Sequence, residues 1–170
     1  MEKEITKAVY AGSFNPFTSG HLSIFLKASK IFDQVTILMA DNPEKKAMFN
    51  AALMEDAIRE TVFPGEGVLV ARTIGFVADY CKQNNIKYLV RGLRNNMDFQ
   101  YEEEIAKVNK ELNPELETIY FRSDNEIISS SLVRMLAVNH KPFFHYVPKS
   151  VHEAIMKDMG TEEYQKWEGK

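Results

Sequence analysis

Four short segments carry the residue types that gather phosphate groups. The first is Gly12-Ser13-Phe14-Asn15-Pro16-Phe17-Thr18-Ser19-Gly20-His21. It follows an apolar run and precedes a stretch of helical period, so His21 falls in a first helical turn. There, unpaired backbone N–H groups and the helix dipole favour an anion, and an imidazole can donate to phosphate oxygens. Gly12 lets backbone approach a ligand, and Gly20 permits unusual dihedrals just before the helix. A plain Pro/Gly turn with a surface histidine reads the same way. No Gly-Lys-Ser/Thr follows, which excludes a Walker A loop, and the spacing is not that of a dinucleotide fingerprint.

The other three segments repeat the theme. Asp41–Phe49 contains adjacent Lys45 and Lys46, which either reach an incoming anion or form a solvated turn. Arg91-Gly92-Leu93-Arg94 places two arginines three apart at a strand end, a pattern suited to phosphate. One of them could instead bridge to Asp98 or Glu102. Asn95, three residues before Asp98, resembles a helix start. Ile127-Ile128-Ser129-Ser130-Ser131-Leu132-Val133-Arg134 offers three hydroxyls at another helix start, as ordinary caps, as a second phosphate cradle, or as both.

No covalent nucleophile–base pair accompanies these groups, no H-E-x-x-H, and no carboxylate cluster fit for two fixed metals. Histidine, lysine and arginine without a nucleophile suit phosphoryl or nucleotidyl transfer, where positioning and charge neutralisation dominate.

These segments need elements to hold them. Strands are expected at Ile5–Ala11, Val35–Ala40, Gly67–Ala71, Lys87–Val90 and Leu116–Phe121. Helices are expected at His21–Phe32, Ala51–Thr61, Phe76–Gln83, Asp98–Leu112, Ser130–Val138 and Val151–Met159. The first should place Leu22, Phe25, Leu26 and Ser29 on one face. The fourth should align Asp98, Glu102, Ile105, Asn109 and Leu112 on one face. Five β-α units imply an α/β, Rossmann-like parallel five-stranded sheet with helices on both faces. The expectation is one domain over 1–170, with a C-terminal helical segment from about 151 and a loosely held tail, EEYQKWEGK. Ligands should lie beyond the carboxyl ends of the strands, where strand order reverses.

Composition agrees with a globular domain: 170 residues, 45% hydrophobic and 26% charged. A net charge of −3 gives no general reason to expect nucleic acid, so an anion site must be built locally. Cys81 is the only cysteine, which rules out an internal disulfide. No apolar run approaches the ~20 residues a membrane span needs, and the opening MEKEITK has no apolar leader, so a cytoplasmic location is expected.

GSFNPFTSGH resembles the T/H-x-G-H signature of the nucleotidyltransferase superfamily, and ISSSLVR resembles its second phosphate motif. NPEKKAMF and RGLRNNMDFQYE are similar to segments of the bacterial phosphopantetheine adenylyltransferase family, and the likeness runs through nearly the whole chain. The resemblance implies ATP and 4'-phosphopantetheine as substrates, dephospho-coenzyme A and pyrophosphate as products, and Mg²⁺ carried with ATP. It assigns His21, Lys45 and Arg94 to catalysis, with His21 stabilising the transition state at the α-phosphate. Ser13, Lys45, Val77 and Arg91 would bind the acceptor. Ser13, Phe14, His21, Gly92, Leu93, Arg94, Glu102, Asn125, Glu126, Ile127, Ile128, Ser129, Ser130 and Ser131 would face ATP. It assigns no protein metal ligand. It further implies a homohexamer and feedback by coenzyme A. The acceptor phosphate is already anionic, so in-line attack on the α-phosphorus needs no general base.

The chain departs from the family at several points. Ser13 stands where threonine is usual and keeps its hydroxyl. Asn15 stands where aspartate is usual and removes a carboxylate near the phosphates. Arg122–Glu126 is short, and NAALMEDAIRE lacks the usual charged pattern. Three rivals are another nucleotidyltransferase acting on nicotinamide mononucleotide or a polyol phosphate, a non-catalytic nucleotide or coenzyme A sensor, and a tRNA-charging enzyme. The last is disfavoured by the chain's length and acidity.

Overall fold

Runs rich in β-branched and aromatic residues form five strands, β1 Lys7–Gly12, β2 Gln34–Asp41, β3 Val68–Ile74, β4 Tyr88–Leu93 and β5 Glu117–Arg122. They form one parallel sheet in the order β3-β2-β1-β4-β5 in the computed structural model, which describes residues 4–44, 46–62 and 67–160. The tail EEYQKWEGK lies outside the described residues. At the centre, Val9 pairs with Thr36 on β2 and with Leu89 on β4. Strand order reverses between β1 and β4, and that is where a ligand crevice opens.

Alternation along the strands divides the core. Ala8 and Tyr10 of β1 face a large cluster that takes Ile24, Phe25 and Ala28 from α1 (Ser19–Ser29). To the same cluster α2 (Ala51–Val62) adds Met54, Ala57 and Ile58, α5 (Ser130–Val138) adds Val133 and Ala137, and α6 (Lys149–Met159) adds Val151, Ile155 and Met156. Val9 and Ala11 point the other way, into a smaller cluster with Ala78 and Cys81 of α3 (Val77–Gln83). The long α4 (Asn96–Leu112) packs beside α3. Ile37, Leu38 and Met39 of β2 are sealed, and each contributes about 1.5–3 kcal/mol relative to exposure. Among the described residues no helix is long and apolar enough to cross a membrane.

The expected elements are all present, with shifts that matter locally. The stripe of α1 facing the sheet is Ile24, Phe25 and Ala28, with Leu22 partly buried, whereas Leu26 is 51% exposed. α1 starts at Ser19, capped by Thr18. Gly20 therefore lies inside the first helical turn and has no positive φ, contrary to the expectation of unusual dihedrals there. β4 runs on through Leu93, because Arg91, Gly92 and Leu93 pair with Tyr120, Phe121 and Arg122 of β5. The arginine segment is thus mostly strand rather than the loop after it. α4 buries Glu102 and Asn109, both polar. Leu112, expected on that face, is 37% exposed.

Candidate active site

At the carboxyl ends of β1 and β4 a cavity of about 360 Å³ opens, walled by the β1–α1 loop, the end of β4, α4 and the start of α5. Gly12 ends β1, and a Cβ there would stand 2.9 Å from the Phe14 ring. Phe14 itself takes a φ of 46°, so the loop folds back on the strand. Its ring is buried and meets Phe17 edge-on at 5.3 Å and His21 at 5.1 Å. These aromatic contacts fix the plane of the imidazole.

The tautomer follows from the helix cap. Thr18 Oγ1 accepts from the His21 N–H at 3.3 Å, and the Thr18 N–H donates to His21 Nδ1 at 2.9 Å, a reciprocal capping box. With Nδ1 accepting, the neutral ring carries its proton on Nε2. Burial, with Arg91 and then Arg94 nearby, lowers the His21 pKa to about 3. The cavity therefore holds a neutral histidine that donates from Nε2.

Arg91 rises from β4 and is gripped from α4. Its Nε and Nη2 donate to Glu102 Oε2 and Oε1 at 2.7 and 2.6 Å, and Nη1 donates to the Ala11 carbonyl at 2.6 Å. Glu102 is 7% exposed, so this pair is well desolvated. Burial opposes the charge on Arg91, but the Glu102 bonds outweigh it and raise the pKa. Arg94 is held one turn earlier on the helix by Asp98, at 3.0 and 3.2 Å. Asn95 caps α4 by accepting from the Asp98 N–H at 3.0 Å. The bridging and phosphate readings of these arginines are compatible: each guanidinium keeps N–H groups beyond those its carboxylate takes. Tyr10 beneath them has its pKa raised by burial.

The opposite wall is the N-terminus of α5. Ser129 Oγ accepts from the Leu132 N–H, Ser130 Oγ donates to the Pro16 carbonyl, and Ser131 Oγ accepts from Arg134 Nη2. Only Ser130 spends its O–H within the fold; the Ser129 and Ser131 hydroxyls accept and keep their protons, so these and the free N–H groups of the first turn can donate to an anion on this wall. Arg134 Nη1 also donates to the Asn15 carbonyl at 2.7 Å, tying α5 to the first loop. Before α5, Asp124 accepts from Ser23 Oγ and Lys27 Nζ, both at 2.6 Å, which pins the short Arg122–Glu126 stretch onto α1.

A second cavity of about 850 Å³ lies over β1, β2 and β3 and reaches Val77 on α3. It shares Ala11, Gly12, Ser13, Arg91, Tyr101 and Arg134 with the first. Lys46 and Met48 line it from the β2–α2 loop, and Arg72 pairs with Asp41 on its far side.

Most of the expected site residues converge. Ser13, Phe14, His21, Arg91, Gly92, Arg94, Glu102, Ile128, Ser129, Ser130 and Ser131 line the first cavity, and Ser13, Val77 and Arg91 line the second. Leu93, Asn125, Glu126 and Ile127 lie off both walls. Asn125 Oδ1 accepts from the Ile127 N–H, and Ile127 is 72% exposed. Lys45 lies outside the described residues. Sequence reasoning gave no role to Thr18, Tyr101, Ser123 or Arg134 and offered Asp98 only as a bridge to an arginine, yet all five line the first cavity. The i, i+4 spacing of Ser130 and Arg134 was the available signal for Arg134.

Residues 9–136 match the family described as cytidylyltransferase-like. The chain is 37% identical over 152 residues to the phosphopantetheine adenylyltransferase of Leptospira biflexa, covering 88% of this chain and 95% of that protein. The chain belongs to the phosphopantetheine adenylyltransferases of the cytidylyltransferase-like family. Proteins of the same name from Helicobacter hepaticus and Clostridium tetani are 39% and 38% identical over 152 residues, covering 92% and 95% of their own lengths. A bifunctional NMN adenylyltransferase/ADP ribose pyrophosphatase from Francisella tularensis superposes with a TM-score of 0.71 at 16% identity. That likeness covers 95% of this chain and 52% of the other, and it is one of fold. The two cavities are accordingly those of a nucleotidyltransferase.

Proposed function

We propose that this enzyme transfers the adenylyl group of ATP to 4'-phosphopantetheine, giving dephospho-coenzyme A and pyrophosphate. The observation that carries this reading is the common wall of the two cavities, at Gly12, Ser13 and Arg91. A nucleotide against His21 and α5 and an elongated acceptor over β1–β3 would meet there by their phosphates. The relatives named phosphopantetheine adenylyltransferase supply the identity of that acceptor.

In this reading an acceptor phosphate oxygen attacks the α-phosphorus of ATP in line, with pyrophosphate departing. The acceptor is already anionic, so the protein's task is positioning and charge stabilisation. His21 Nε2–H donates to the transferring phosphate. The N–H groups that open α1 and α5 hold the nucleotide phosphates, with Arg94 beside them. Ser13, Arg91 and Lys45 receive the acceptor phosphate, and Val77 lines its arm.

Asp98 and Glu102 are each engaged by an arginine, and among the described residues no group of three or more His, Cys, Asp or Glu could hold a metal. That donor set fits Mg²⁺ held chiefly by the triphosphate. When bound, it neutralises phosphate charge.

The whole chain acts as one domain. Assembly into a homohexamer belongs to the same proposal and rests on the likeness to the family. Feedback by coenzyme A and a cytoplasmic location complete the proposal.

The test is stereochemical. ATP made chiral at a thio-substituted α-phosphorus should give product with inverted configuration. Retention would require a covalent intermediate and would refute direct attack.

A further inference from the structure

We infer that Asn15 is a positioning residue for the acceptor, its side-chain amide clamping the β2–α2 loop against the phosphate loop. This rests on the reading of the second cavity as the acceptor site.

The clamp is a reciprocal pair of bonds across 34 residues of sequence. Asn15 Nδ2 donates to the Phe49 carbonyl at 2.8 Å, and the Phe49 N–H donates to Asn15 Oδ1 at 2.9 Å. Both residues are buried, Asn15 at 7% and Phe49 at 3% exposure, so water is a poor substitute for either bond. Asn50 then continues the anchor. Its N–H donates to Asp158 Oδ2 on α6, and its Oδ1 accepts from the Ala52 and Leu53 N–H groups at the start of α2. Lys46 and Met48, which line the acceptor cavity, precede this anchored point directly. Where the loop stands is therefore set by residues 49 and 50.

Chemistry selects the amide. A carboxylate of the same shape accepts from the Phe49 N–H, but it cannot donate to the Phe49 carbonyl and instead sets one oxygen against another. Asparagine makes both bonds and adds no negative charge beside the acceptor phosphate. Its place in this chain is a change of loop anchoring, not only the loss of a charge.

The backbone of the same residue serves the other substrate. The Asn15 carbonyl accepts from Arg134 and the adjacent Pro16 carbonyl accepts from Ser130, both on α5. Those ties survive any side-chain replacement at Asn15. Changing the side chain should thus disturb acceptor binding and leave nucleotide binding alone. A side chain that merely braced the phosphate loop would affect both.

The experiment compares the wild type with Asn15→Leu, which keeps the volume and loses both bonds, and Asn15→Asp, which loses the donor. Steady-state rates are measured while ATP and 4'-phosphopantetheine are varied separately. The KM for 4'-phosphopantetheine should rise about tenfold or more in both variants, the equivalent of roughly 1.4 kcal/mol, while the KM for ATP stays within about twofold. An unchanged acceptor KM, or equal rises for both substrates, would overturn the inference.

Hydrogen exchange at the Phe49 amide supplies an arm independent of turnover and of how well the variants fold. The wild-type amide should be strongly protected, and an unprotected one would also overturn the inference. If the wild type failed to adenylate 4'-phosphopantetheine while Phe49 remained protected, the acceptor assignment would fall and the positioning inference with it, but the clamp itself would stand.

Discussion

Acidification tests the state of His21 most sharply. Between pH 7.5 and 5 an ordinary imidazole goes from mostly neutral to about 97% protonated. A ring titrating at about 3 is only about 1% protonated at pH 5. The shift has a thermodynamic sign. The folded pKa lies below the unfolded one, so the unfolded chain takes the proton first. Stability from the neutral ring is complete above pH 6.5 and drains away as pH falls toward about 3. At pH 5 the loss assignable to His21 is at most about 2 kcal/mol, since the ring is partly open to the cavity. His21→Gln is the control, because glutamine at this position keeps a capping box with Thr18 and does not titrate. Urea unfolding of both proteins at pH 7.5 and 5 should show the wild type losing up to that amount more than the variant. Nitrogen-15 spectra of the ligand-free imidazole should show the proton on Nε2 throughout. A His21 that protonates near pH 6.5, or carries its single proton on Nδ1, would refute the reasoning.

Other consequences follow from the same geometry. His21→Ala should lower kcat by about 10²–10³ and change the KM for ATP little, as expected for a donor that acts on developing charge. Arg91→Ala strands the Glu102 carboxylate at 7% exposure and should destabilise the fold by about 3–5 kcal/mol in urea titrations. Gly67→Ala puts a Cβ 2.3 Å from the Asp33 carbonyl at a φ of 91°, at a residue that lines neither cavity. It should reduce stability by more than about 1 kcal/mol while leaving kcat per folded molecule unchanged.

The elements were readable because each has a local cause. Val35–Ala40 is apolar and β-branched enough to be an inner strand wherever it stands, whereas the Thr18 cap, which starts α1 at Ser19 rather than His21, went unread. The convergence of His21 and Ser129–Ser131 on one cavity was readable for the same reason, since both sit at helix starts that the pattern itself reveals. Contacts across the fold were not. A bridge from one arginine to Asp98 or Glu102 was legible, but that Arg91 takes Glu102, 11 residues on, depends on α4 returning over β4. Arg134 meets the Asn15 carbonyl across 119 residues. Asn15 looked like a missing charge until its amide was found on the Phe49 backbone, a relation that no local pattern encodes. The order of strands, and hence the reversal between β1 and β4 that opens the cavity, depends on how crossovers pack rather than on any one segment. In the Arg122–Glu126 stretch, likeness to relatives placed Asn125 and Glu126 against the nucleotide. The Asp124 tie to Ser23 and Lys27, which holds this stretch on α1, spans about a hundred residues and no local pattern encodes it.

The central claim is the acceptor. Pyrophosphate release from ATP and Mg²⁺ should be followed with 4'-phosphopantetheine and with nicotinamide mononucleotide in parallel. Sustained release with 4'-phosphopantetheine, formation of dephospho-coenzyme A, and no release with the mononucleotide are the predicted results. Release with the mononucleotide alone would keep the fold's chemistry and contradict the proposed reaction. Binding of ATP with release from neither acceptor would contradict catalysis of this adenylyl transfer.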